Sequence, residues 1–102
     1  MMILNTTFHL DDEIHAEALD YLKTVYIPGA IKSGKAAEAR LRKVLGSGDE
    51  DGHSYSLQFS IADLDALKEW NAQTGRMLNA KLIERFSDKV IGFSTLLQEM
   101  EL

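Results

Sequence analysis

Ser54-Tyr55-Ser56-Leu57-Gln58-Phe59-Ser60-Ile61 alternates polar and apolar residues without a break. Strict period-two alternation marks a β-strand with one face on a core. The polar positions are the informative ones: Ser54, Ser56, Gln58 and Ser60 carry no charge. A stretch near the N-terminus repeats the pattern, with Leu4, Thr6, Phe8 and Leu10 opposing Asn5, Thr7 and His9. A face left to water usually gathers Lys and Glu. This one gathers hydroxyls, amides and an imidazole, which predicts that something covers it: a second subunit, a ligand, or both. A plain antiparallel sheet with a wetted face is the alternative.

Working outward, Met2 to Leu10 reads as the first strand. Asp11-Asp12-Glu13 then supplies a cap and acidic charge for a helix start. Ile14, Ala18, Tyr21, Leu22 and Val25 recur at helical spacing. Pro28 predicts a kink or restart, with a short piece from Gly29 to Lys32 closed by Ser33-Gly34. Ala36 to Leu45 favours helix by propensity, but it precedes a glycine-rich hairpin signal and is assigned as an edge strand. Gly46-Ser47-Gly48-Asp49-Glu50-Asp51-Gly52 reads as a solvated hairpin tip. Its acids lack the register of a calcium loop.

After the central strand, His53 to Ile61, either Asp63 or Ser60 caps the next helix, and Ser60-x-x-Asp63 has capping-box spacing. Leu64, Leu67, Trp70, Thr74, Leu78, Leu82 and Phe86 form its buried stripe, and Gly75 is a point where it divides. Val90 to Met100 is the last strand, and Ile91 and Phe93 are assigned with Phe8, Tyr55, Leu57 and Phe59 to the face under the helices. The order β-α-β-β-α-β over residues 1–102 predicts one α+β domain. Its fold is ferredoxin-like, a four-stranded antiparallel sheet with helices on one face. The open face then shows Asn5, Thr7, His9, Ser54, Ser56, Gln58 and Ser60, joined by Arg40, Arg42, Ser94 and Gln98. Two such faces packed together make a dimeric α+β barrel around a small polar cavity.

With 45% hydrophobic and 26% charged residues, the 102-residue chain is ordinary for a folded domain. A net charge of −5 argues against nucleic acid as a partner. The absence of cysteine excludes disulfides and thiolate metal sites and fits a reducing, cytoplasmic setting. The N-terminus predicts no signal peptide, and no apolar run is long enough to span a membrane.

His9, on the polar face of a central strand, is the candidate for general acid–base work. The competing assignment is an interface histidine hydrogen-bonded across a dimer. His53 and Tyr55 share a face two residues apart, where the tyrosine is expected to pack its ring and satisfy its hydroxyl nearby. His15 reads as a surface residue. The three histidines lack metal-ligand spacing, and no nucleophile elbow, dinucleotide or Walker motif occurs, so no metal and no cofactor is expected. The basic run Arg40, Arg42, Lys43 invites comparison with RNA-binding sheets. Those stack bases on exposed aromatics, and here every strand aromatic is assigned to the inner face.

Asn5-Thr6-Thr7-Phe8-His9, Gly52-His53-Ser54-Tyr55-Ser56-Leu57-Gln58-Phe59 and Gly92-Phe93-Ser94-Thr95-Leu96-Leu97 together resemble a family of short bacterial proteins of unknown function. The resemblance covers the whole chain. It implies a ferredoxin-like or dimeric α+β barrel fold and a cytoplasmic bacterial setting, and it transfers no catalytic residue. The expectation is a non-catalytic homodimer that binds a small polar molecule through Asn5, Thr7, His9, Ser54, Ser56 and Gln58. The alternative is a cofactor-independent enzyme built on His9, and the sequence does not choose whether there is catalysis.

Overall fold

A computed structural model describes residues 1–46 and 52–102. Most of the acidic hairpin tip, residues 47–51, lies outside them. The strands are β1 (Met2–Asp11), β2 (Ala37–Lys43), β3 (Gly52–Ile61) and β4 (Val90–Gln98). They form a four-stranded sheet in the order β2-β3-β1-β4, antiparallel throughout. Helices α1 (His15–Tyr21), α2 (Ile27–Lys32), α3 (Leu64–Glu69) and α4 (Gly75–Phe86) complete the ferredoxin-like βαββαβ fold. The molecule measures 37 × 34 × 18 Å. A thickness of 18 Å is that of one sheet and one helical layer, so among the described residues the second face of the sheet has no cover.

Both helical runs contain a π turn. Leu22–Tyr26 joins α1 to α2, and Trp70–Thr74 joins α3 to α4. The sequence shows why. Ala18, Leu22, Tyr26 and Ala30 are all buried at spacings of four, and in the second run Trp70, Leu78, Leu82 and Phe86 are buried on the same four-residue repeat with half-buried Thr74 between the first two. Four residues at about 100° each overshoot a full turn by about 40°, so a pure α-helix would rotate such a stripe off the core. The wider π turn takes up the drift. It also corrects two assignments: Val25 is 43% exposed because Tyr26 takes the inward position, and Leu64 is 61% exposed at the start of its helix.

The backbone stays helical through Tyr26 and Ile27 (φ −63°, ψ −48°), so Pro28 follows directly on the π turn without a clean restart, and the piece expected from Gly29 spans Ile27–Lys32. Gly34, at φ +76°, closes α2 by donating to the Ile31 carbonyl at 3.1 Å. Asp63 caps α3 through Ala66 N at 2.8 Å. Ser60 does not take part, because its hydroxyl donates instead to Glu38 Oε1. Glu38 sits at φ 53° in a β-bulge between Ala37 and Arg40, and β2 is a strand, as its hairpin context predicts.

The core lies between the sheet and the helices. Leu4, Phe8, Leu10, Tyr55, Leu57, Phe59 and Ile61 face Leu22, Tyr26, Trp70, Leu78, Leu82 and Phe86, all buried. Strand β4 turns the other way from the assignment above. Val90 and Gly92 pair with Leu10 and Phe8, so they share the inner face, and Ile91 and Phe93 pair with His9 and Thr7 on the outer one. The reason is steric. A Cβ on Gly92 would come within 2.9 Å of the Phe8 ring, so the glycine makes room for an aromatic already on the inside. Ser94 and Gln98 share the parity of Gly92 and leave the open face; Ser94 Oγ lies 2.8 Å from the buried Thr6 Oγ1.

Candidate functional site

The open face is built in rows set by strand pairing. Arg42, Ser56, Thr7 and Phe93 form one row; Arg40, Gln58, Asn5 and Thr95 form the next; Ser54, His9 and Ile91 lie at one end. All six proposed site residues are thus on one surface, with Arg40 and Arg42 beside them. Asn5 is the hub. Its Oδ1 accepts from Ser56 Oγ at 2.5 Å and from Gln58 Nε2 at 3.4 Å, and its Nδ2 donates to Thr7 Oγ1 at 3.4 Å. His9 stands apart: its Nδ1 is 3.0 Å from Ser54 Oγ, and its ring lies against the backbone of Gly52, where a Cβ would come within 2.4 Å of Nε2. A shallow hollow of about 270 Å³ opens between Ile3, Glu38, Arg40, Arg42, Gln58 and Ser60.

Sequence reasoning missed the apolar part of this face. Phe93 is 64% exposed, Ile91 58% and Leu97 41%, in a strip along β4 beside the polar rows. The open face therefore does carry an aromatic, contrary to the premise used above against base stacking. The strand's own sequence carried no signal, because apolar residues stand on both parities, Val90 and Leu96 on one and Ile91, Phe93 and Leu97 on the other; the pairing with β1 decides.

A second polar cluster forms on the helix side at the β1–β3 end. His15 Nε2 hydrogen-bonds Tyr55 Oη at 2.8 Å, and His53 Nε2 meets Asp12 Oδ1 at 2.9 Å. The imidazoles of His15 and His53 stack with centroids 3.7 Å apart. His15 is therefore no isolated surface residue. Burial, then the adjacent His53 ring and the Lys43 ammonium, hold its pKa below the usual 6.5 against the opposing pull of Asp12. His15 and Tyr55 are 40 residues apart, so no spacing rule would have joined them. Among the described residues, no group of three His, Asp or Glu is placed to hold a metal ion. None of the helices among them is long and apolar enough to cross a membrane.

Several solved structures share this architecture. A protein of the ethyl tert-butyl ether d (ethd) family from Bacillus halodurans aligns at TM-score 0.69 and 16% identity, over 98% of this chain and all of the other. A variant of SnoaB, a cofactor-independent oxygenase from Streptomyces nogalater, aligns at 0.65 and 17%, over 99% and 95%. A dimeric ferredoxin-like protein from an uncultured marine organism aligns at 0.63 and 14%, over 99% and 97%. At these identities the likeness is one of fold. Among curated proteins none matches the sequence. A family model described as Domain of unknown function (DUF4286) matches residues 1–100, and the chain belongs to that family.

Proposed function

We propose that this family member is a non-catalytic, self-associating domain that pairs two open sheet faces into an α+β barrel and holds a small polar molecule between them. The observation that carries the reading is the strip Ile91, Phe93 and Leu97, exposed beside polar rows whose only charges, Arg40 and Arg42, stand on the far edge strand, on a face that no helix among the described residues covers. Exposed apolar surface of this kind marks interaction sites. Around a two-fold axis each polar group meets its own kind of surface, so hydroxyls and amides serve as both donors and acceptors. The hollow beside Arg40, Arg42, Glu38 and Gln58 supplies the ligand pocket, with charge of both signs for a small polar guest. The fold-level likeness to a protein described as dimeric supports the pairing by analogy.

Light scattering tests the association. The native chain is expected to run as a dimer, and Phe93→Asp, which would bury an unpaired carboxylate, as a monomer. A native chain that stays monomeric above about 1 mM, where even a weak contact of about 4 kcal/mol would show, overturns the reading.

A second reading, a cofactor-independent enzyme with His9 as its base, draws on the Ser54 contact that fixes one nitrogen of the ring. It predicts turnover that His9→Ala abolishes while the dimer persists. A His9→Ala protein with unchanged ligand binding and no turnover in the native chain removes it.

A further inference from the structure

On the opposite side of the sheet, a cleft of about 400 Å³ opens beside α4, lined among others by Leu4, Thr6, Tyr26, Trp70, Arg76 and Asn79. It exists because the inner side of β4 lacks helical cover: Ser94 and Leu96 share the inner parity yet are exposed. Its two aromatic walls come from the two π turns, with Tyr26 ending the first and Trp70 opening the second. Single π turns recur at functional sites. Here they bring together two residues 44 positions apart in sequence, from Tyr26 and Trp70 (70 − 26 = 44).

The polar tips of those walls are idle. Tyr26 is 3% exposed and Trp70 5%, yet among the described residues neither Tyr26 Oη nor Trp70 Nε1 has a hydrogen-bond partner. Neither atom is sealed from the cleft. Both donors therefore face the cleft unclaimed by the protein, where water or a guest can take them. Gly75 fixes the arrangement, because a Cβ there would come 2.5 Å from Trp70 Nε1. Burial pushes the Tyr26 hydroxyl up to about 12, so at neutral pH it holds its proton and can donate.

The donor set defines the guest. The indole N–H and the Arg76 guanidinium only donate, and the Asn79 amide can do so. No carboxylate lines the cleft, and Arg76 has no acidic partner among the described residues. Leu4, Ala80, Ile83 and the two aromatic rings give apolar surface that suits a flat body, while Thr6, Asn71 and Ser94 add groups that can donate or accept. The volume fits one or two rings. We infer that this cleft binds a small planar aromatic molecule bearing a carboxylate, whose oxygens take up the Trp70 and Tyr26 donors and the Arg76 charge. The site stands on the helix side of the sheet, so it does not depend on the pairing proposed for the open face.

Trp70 is the sole tryptophan, so its indole N–H gives a single, assigned NMR signal. Titration of the full chain with 2-naphthoate is expected to shift that signal saturably, with a Kd on the order of 0.1 mM. Tyr26→Phe and Arg76→Gln should each weaken binding about tenfold, and Lys23→Gln, at an exposed charge that does not line the cleft, should leave it unchanged. Arg76 is exposed, so its substitution tests the site even if the tyrosine variant folds poorly. The absence of saturation up to about 5 mM overturns the inference. So does equal affinity in Arg76→Gln, or equal affinity of the native chain for the neutral 2-naphthalenemethanol.

Discussion

On the side packed by helices, Phe59 is 2% exposed and Phe8 1%; across the same sheet, Phe93 is 64% exposed and Ile91 58%. The residue types are alike and the strands adjacent. What separates them is whether the chain has a helix to lay over them. The inner face of β1 and β3 closes under the helices and accounts for folding. The outer face keeps apolar groups of β4 beside uncharged polar groups of the central strands, with Arg40 and Arg42 at the far edge, a composition that makes sense where a second surface meets it. The comparison teaches that hydrophobicity in one strand does not assign its face; the partner strand's register does.

The contrast can be broken most directly by truncation. Phe59→Ala should destabilise the protein by about 3–5 kcal/mol in urea unfolding, as large-to-small core changes do. Phe93→Ala, measured where the protein is monomeric, should cost less than about 1 kcal/mol. Similar values for the two would mean that the faces are assigned wrongly.

A smaller effect sharpens the helix side. His15 has its folded pKa below 6.5, so the unfolded chain binds its proton more readily. The histidine's contribution is therefore present above about pH 6.5 and is lost as the pH falls from there through the lowered folded value. Chemical denaturation across that window should show stability falling with pH, with a shallower fall in His15→Gln. An unchanged slope would mean that the stacked pair does not couple to folding.

The smallest effect is expected on the outer surface of the helical layer. Arg85 Nη2 donates to Glu17 Oε2 at 2.9 Å with both side chains about half exposed, at 52% and 58%. Glu17→Gln should change stability by less than about 1 kcal/mol, and less still in high salt. A larger loss would show that this contact does more than solvent-screened pairs usually do.

Much of the fold was legible because its signals are local. Alternation within nine or ten residues marked β1 and β3, Pro28 and Gly34 punctuated the first helical run, and Asp63 announced the start of the second. Asn5, Thr7, His9, Ser54, Ser56 and Gln58, the residues proposed for the site, were placed on one face by the same parity, and the strand pairing puts them on one face. The errors have one physical character. Val25, Leu64 and Ser60 were misplaced by a turn or a rival hydrogen bond, and Ile91, Phe93, Ser94 and Gln98 by a strand read without its neighbour.

What the sequence determined by itself is the set of elements, their order and the two-sidedness of the central strands, because side-chain direction repeats every two residues in a strand and a proline or glycine acts where it stands. What only the tertiary structure decided is which groups meet. Phe8 over Gly92 sets the parity of β4, His15 reaches Tyr55, and Tyr26 and Trp70 close on one cleft. Those contacts depend on register and helix rotation between segments far apart in the chain, where an offset of one residue changes the neighbour entirely.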